Sequence, residues 1–399
     1  MANFKLFSDS KVLLIGAGSG RDIISLSLFS DLFKAYKVNV DIAGFLTPWS
    51  IHQFDNLIEQ PVNILSLDVQ QELNKHLPYK NKIQIDNKFI ERYIPYINKN
   101  FNLFFNTAYL FSLQYGSYIL KSELEKLVNE NEYDYILVVD FGGDILINEE
   151  ILPYAHTPIV DKTCLTLISD LAISIPKYLI IVSTGSDGEL PGQIINNLDI
   201  GDFVIFKENL SDIPYKKYLL ANEYTNQISK TNSFTYDNIN RLINKLQFLS
   251  QKRSYIKVGD KIWDYIRQIK IDNKYSNEVI CLNLTDYTKN SNLDIRYNSL
   301  DEINRFFYQN NVCETEISLS CIPFSIKEGN VSENIFYLNF NDFIPESTII
   351  DVISEIKSLF LRGEIDNLAI LSKNIDLNFN NISISCTKSG TFEYLKLIK

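Results

Sequence analysis

The chain has 399 residues, 45% of them hydrophobic and 22% charged, with a formal charge of −11. That balance is the one of an ordinary folded protein, which excludes disorder, collagen and coiled coil. The 49 acidic against 38 basic residues disfavour nucleic acid and anionic lipid as partners, because a net negative surface repels a phosphate array.

At roughly 150 residues per domain the length suits one elaborated α/β unit with a smaller one attached. The five cysteines, Cys164, Cys281, Cys313, Cys321 and Cys386, include no CxxC pair, so neither a disulfide framework nor a zinc site is expected. The N-terminus carries no secretory pattern, and no apolar run reaches the length of a membrane span. A cytoplasmic protein without membrane contact is the expectation, and the oligomeric state is left open.

In chain order, residues 11–15 form an apolar run that leads into glycines, followed by an apolar helix over 22–33 and a second strand over 38–43. This is a β-α-β unit of about the usual thirty-odd residues. Residues 88–130 read as largely helical. The β-α-β grammar then returns, with a strand at 135–140, a helix at 162–173 and a strand at 178–183. Strands with little polar alternation, separated by helices, predict a parallel sheet covered on both faces. Beyond about 205 the texture changes. Helices are expected over 237–252, 261–271 and 348–361, and strands over 278–284, 315–320, 335–340, 368–371, 382–386 and 392–398. The predicted fold is therefore a doubly wound, mostly parallel α/β sheet of the Rossmann-like kind over 1–255, with a smaller α+β region over 256–399.

Two strings carry the chemistry. Gly16-Ala-Gly18-Ser-Gly20-Arg21-Asp22 stands between a strand and a helix, where glycines permit close backbone approach and helix-start N–H groups attract anions. The position of the third dinucleotide-fingerprint glycine is Arg21, and Gly44, Phe45 and Leu46 stand where a ribose-binding acid belongs, so NAD is not favoured. The G-x-G-x-G spacing is that of a methyltransferase loop, although Leu14 occupies its usual acidic position. Arg21 in the first helical turn opposes the helix dipole, a penalty that a bound phosphate would reverse.

The second string, Asp140-Phe-Gly142-Gly143-Asp144, ends a strand with two acids around a flexible pair of glycines. Asp161 follows in Thr157-Pro158-Ile-Val-Asp161, and Asp187 and Glu189 lie in Thr184-Gly-Ser-Asp187-Gly-Glu189. Acids at carboxyl ends of parallel strands sit where α/β proteins place ligands, and they suit Mg²⁺ held beside substrate phosphates. Asp140, Asp144 and Asp161 are the expected metal ligands. Asp140, Asp144, Asp187, Glu189 and His156 are the expected catalytic groups. Gly16, Gly18, Gly20, Arg21, Asp22, Gly142, Gly143 and Trp49 are the expected contacts to a nucleotide or other phosphorylated ligand. No Walker A loop and no nucleophile elbow is present.

These strings resemble a family, the archaeal and bacterial domain of unknown function numbered 1152, whose members look like GAGGGGD, D-x-GGD-x-L, SP-x-x-D and DGEL. The matching positions are 16–22, 140–146, 157–161 and 187–190, with Ser19, Arg21 and Thr157 as the departures. The resemblance implies no activity. The functional expectation is a Mg²⁺-dependent hydrolase or transferase acting on a small anionic ligand. The alternatives are an S-adenosylmethionine-dependent methyltransferase and a non-catalytic nucleotide-binding or effector-like module.

Overall fold

The structure, a computed structural model, describes residues 2–46, 64–68, 90–113, 116–146, 158–187, 192–229, 234–245, 249–258, 261–270 and 273–288. Six short strands between 324 and 397 are described as well. Trp49, His156, Thr157 and Glu189 lie outside the described residues, as do the strand expected over 315–320 and the helix expected over 348–361.

Ten strands are described up to residue 288: β1 Lys11–Ser19, β2 Asn39–Phe45, β3 Ile64–Asp68, β4 Phe105–Phe111, β5 Tyr135–Phe141, β6 Lys177–Val182, β7 Val204–Asn209, β8 Leu249–Val258, β9 Lys261–Lys270 and β10 Glu278–Asn283. Eight of them form one sheet in the order β3-β4-β2-β1-β5-β6-β10-β7. The five central strands β4, β2, β1, β5 and β6 are parallel, and β3 and β10 are antiparallel to their inner neighbours. The fold is α/β.

Burial on both faces explains the unbroken apolar runs. Val12, Leu14, Val40, Ile42, Leu137, Val139, Ile180 and Val182 belong to one continuous core with Ile23, Phe29 and Phe33 of the helical run 21–35 and with Tyr218, Ala221 and Ile239. The alternate residues Leu13, Ile15, Ile136, Val138, Leu179 and Ile181 are equally buried and point to the other face of the sheet. Helix Pro158–Ser169 packs against β1. Chain order reverses at β1: the chain winds outward through β2 and β4, then returns to place β5 on the other side. The gap between the carboxyl ends of β1 and β5 is thus the topological switch point, where open α/β sheets bind ligands.

Several sequence expectations are corrected. Residues 261–271 are not a helix: β9 pairs along its whole length with β8 as an antiparallel hairpin. The long side chains of Lys261-Ile-Trp-Asp-Tyr-Ile-Arg-Gln-Ile fit a two-residue period as readily as a helical one. The helix expected over 237–252 ends at Ile243. The segment 88–130 is interrupted by β4, whose run of β-formers, Phe105-Asn-Thr-Ala-Tyr-Leu-Phe, lines up beside β2. Residue 255 falls inside β8, and β10 is a strand of the main sheet, which therefore extends past 255 as far as Asn283. The C-terminal strands expected near 335, 368, 382 and 393 are present.

Candidate functional site

The segment after β1 is extended rather than looped, since β1 continues to Ser19. Gly16 is required by close approach: a Cβ there would stand 2.8 Å from the backbone carbon of Asp22 and 2.9 Å from the nitrogen of Ile23. Gly18 is pressed against the Asp22 carboxylate and donates its N–H to Asp22 Oδ2 at 2.8 Å. Gly20, at φ 69°, makes the turn into the helix starting at Arg21. Its N–H is directed at the carboxylate of Glu91, a residue of the 3-10 turn Ile90–Tyr93. Two amides that were expected to hold an external anion therefore serve the protein's own carboxylates. Arg21 also turns inward: its guanidinium donates to Asn226 Oδ1 and faces Asp237, and burial lowers its pKa to about 10.

The switch point gathers acids from three elements. One carboxylate oxygen each from Asp22, Asp140 and Asp161 lies within 4.8 Å of the others. Asp22 is in the first turn after the glycines, Asp140 is at the end of β5, and Asp161 is in the first turn of helix Pro158–Ser169. Asp140 is 1% and Asp161 5% exposed. Burial drives the Asp140 pKa well up, and the charges of Asp22 and Asp187 add to the rise. The rise is opposed by the N–H groups of Ile145 and Gly143, the former at 3.4 Å. Gly142 and Gly143, at φ 137° and 96°, turn the chain so that those amides look back at Asp140. The absence of a side chain at 142 also makes room for Asp187, because a Cβ there would lie 2.1 Å from Asp187 Oδ2.

A buried aspartate need not be strained. Asp41 on β2 is 4% exposed and accepts hydrogen bonds from Thr107 N–H at 2.9 Å and Tyr133 O–H at 2.6 Å. Asp140, whose Ile145 donor stands at 3.4 Å, instead shares its place with Asp22 and Asp161.

Of Asp140, Asp144 and Asp161, expected as metal ligands, the structure brings Asp140 and Asp161 near each other. Asp22 joins them, whereas the converging set does not include Asp144. Asp144 is buried in a short 3-10 turn, and its charge acts on Lys162. Two residues were missed. Glu91, 1% exposed, is pushed up to a pKa of about 7 by burial; nothing in Ile90-Glu-Arg-Tyr distinguishes it from a surface acid. Lys162, also 1% exposed, is brought down to about 7 by burial, a shift opposed by Asp144, Asp161 and Asp140. Here a signal existed: an Asp-Lys pair inside the apolar helix sequence Pro158-Ile-Val-Asp-Lys-Thr-Cys-Leu.

Residues 13–199 match the model of a family described as Protein of unknown function (DUF1152). Over this stretch the chain is similar to that family. No curated protein and no solved structure matches the chain. Asp22, Glu91, Asp140, Asp144, Asp161, Lys162 and Asp187 all lie within the DUF1152 stretch. The side chains that brace its edge come from beyond it: Asn238 donates to Ser186 O at 2.6 Å, Asn273 to Thr184 O at 2.9 Å and Tyr287 to Leu146 O at 2.8 Å. Among the described residues no helix is long and apolar enough to cross a membrane.

Proposed function

We propose that the chain is a divalent-cation-dependent enzyme, a hydrolase or transferase acting on a small phosphate-bearing molecule, with Asp22, Asp140 and Asp161 as the cation's protein ligands. The observation that carries this reading is the convergence of three carboxylates from three separate elements at the switch point, two of them almost wholly buried. Like charges brought this close repel strongly in a medium of low polarity, so the arrangement calls for a proton or a cation between them. A hard cation such as Mg²⁺ takes one or a few carboxylates together with waters and phosphate oxygens. When bound, it would polarise a phosphoryl oxygen or lower the pKa of a bound water.

The methyltransferase alternative draws on a free glycine loop, and the engagement of the Gly18 and Gly20 amides by Asp22 and Glu91 counts against it. The test is titration of Mn²⁺, as a paramagnetic stand-in for Mg²⁺, followed by the loss of the free-ion resonance signal. The parent protein should bind Mn²⁺ in a form displaced by Mg²⁺, and Asp161→Asn should weaken it by about tenfold or more. A parent protein that leaves the Mn²⁺ signal unchanged overturns the reading. Given binding, phosphate release from a set of nucleotides and sugar phosphates, with Mg²⁺ and with EDTA, identifies the substrate class.

A further inference from the structure

The acids at the switch point explain where a cation would sit, but not what would hold the anion it serves. The glycine segment is a poor candidate, because its amides at 18 and 20 are engaged and Arg21 is turned to Asn226. The other side of the site differs. The Nζ of Lys162 is buried and makes no hydrogen bond among the described residues, and the charges acting on it are those of Asp144, Asp161 and Asp140.

A second buried lysine in the same half of the sheet shows that this is not what burial of a lysine requires. Lys177, on β6, is 7% exposed and donates to the carbonyl oxygens of Ser169 at 3.1 Å and Leu171 at 2.8 Å. An ammonium held in a low-polarity interior without acceptors is costly, and such groups are ordinarily paired. Just past the end of β6, the hydroxyl of Thr184 is also fully buried and has no partner among the described residues. Its position is nonetheless fixed: Asn273 holds its backbone oxygen at 2.9 Å, and its methyl group packs on Gly143. Among the described residues nothing receives these two donors, one facing the charges of Asp144, Asp161 and Asp140 and the other packed on Gly143, the residue before Asp144.

We propose that Lys162 and Thr184 form the anion side of the site, donating to an oxyanion of phosphate class that bridges them to the cation held by Asp22, Asp140 and Asp161. The inference rests on the cation-site reading above and deepens it by assigning the groups that recognise the phosphoryl oxygens. It explains why an ammonium is placed near carboxylates without hydrogen-bonding to them. A phosphate arriving with its metal ion brings both the acceptor that Lys162 lacks and the positive charge that the acids lack.

The test uses the full chain and inorganic phosphate as probe, with calorimetric titration in excess Mg²⁺ and again in EDTA, alongside Mn²⁺ titration of each variant. Lys162→Met should lower phosphate affinity in Mg²⁺ by about tenfold or more, the effect of losing one charge-assisted hydrogen bond, while Mn²⁺ still binds, since one repelling charge has gone. Thr184→Val, which keeps the shape, should lower phosphate affinity about threefold or more with Mn²⁺ binding retained; this variant carries the test if Lys162→Met does not fold. Phosphate affinity equal to the parent's in either folded variant overturns the proposal, as does a parent that binds no phosphate in Mg²⁺ or in EDTA. Failure of the underlying reading looks different: Mn²⁺ does not bind, and any phosphate binding is the same in Mg²⁺ and EDTA.

Discussion

The two lips of the switch point are built on opposite plans. On the β1 side the glycines are closed on the protein itself: Gly16 and Gly18 touch Asp22, and the Gly20 amide serves Glu91. On the β5 and β6 side, glycines of positive φ at 142, 143 and 185 turn the backbone, yet Lys162 Nζ and Thr184 Oγ1 have no partner among the described residues. Ser183, between them in sequence space and at φ 55°, has its hydroxyl bound to Ser276 O at 2.8 Å. The glycine-rich string after β1 thus marks a close passage of chains, and on the proposed reading Lys162 and Thr184 mark where phosphate is received.

The contrast breaks most sharply under added side chains. Gly142→Ala places a Cβ 2.1 Å from Asp187 Oδ2 at a φ of 137°, and should cost about 3 kcal/mol in a denaturant unfolding experiment. Gly18→Ala meets the Asp22 carboxylate, 2.7 Å away, and Asp161 Oδ1 at 3.4 Å, and should cost about 1 kcal/mol by turning the Asp22 side chain aside. Equal losses in the two variants would erase the distinction drawn between the lips.

A smaller effect follows from Glu91. Its pKa rises from 4.5 to about 7 on folding, so between those values the folded state keeps a proton that the unfolded state has released. Stability contributed by this group is therefore lost as pH rises through that window. Glu91→Gln keeps an acceptor for the Gly20 amide and removes the titration. Its unfolding midpoint should exceed the parent's at pH 8 and converge with it near pH 4; a difference that does not change with pH would show that Glu91 does not titrate in the window. The smallest effect is expected of Arg21→Ala. With its guanidinium on Asn226 and near Asp237, its loss should cost no more than about 1 kcal/mol, and phosphate binding in Mg²⁺ should be unchanged. A large fall in phosphate affinity would restore Arg21 as an anion contact and open the β1 lip to ligand.

Much of the central sheet was legible in the sequence because β1, β5 and β6 are apolar on both faces, as strands buried on both faces of a parallel sheet are. The edges were not. The β8–β9 hairpin mixes charged and aromatic residues that satisfy either period, and β10 belongs to the main sheet through pairing with β6 and β7, a long-range contact without a local mark. At the site, Asp140 and Asp161 announced themselves by standing at strand and helix ends. Asp22 was read as part of a phosphate loop, and its true neighbours follow from β1 lying beside β5. Lys162 was passed over because a lysine next to an aspartate in a helix ordinarily reads as a solvated pair. The apolar residues around it were the mark against that reading, and its 1% exposure agrees with them.

Asp140→Asn compared with the parent, each unfolded in denaturant with EDTA and with excess Mg²⁺, tests the cation site most directly. Burial, Asp22 and Asp187 all disfavour the charged form of Asp140, so in EDTA the Asn variant should be at least as stable as the parent. Mg²⁺ should raise the parent's unfolding free energy by about 2.7 kcal/mol at a hundredfold excess over the dissociation constant, and leave the variant's unmoved. A parent insensitive to Mg²⁺, or a variant destabilised in EDTA with its Mg²⁺ response intact, would contradict a cation held by Asp22, Asp140 and Asp161.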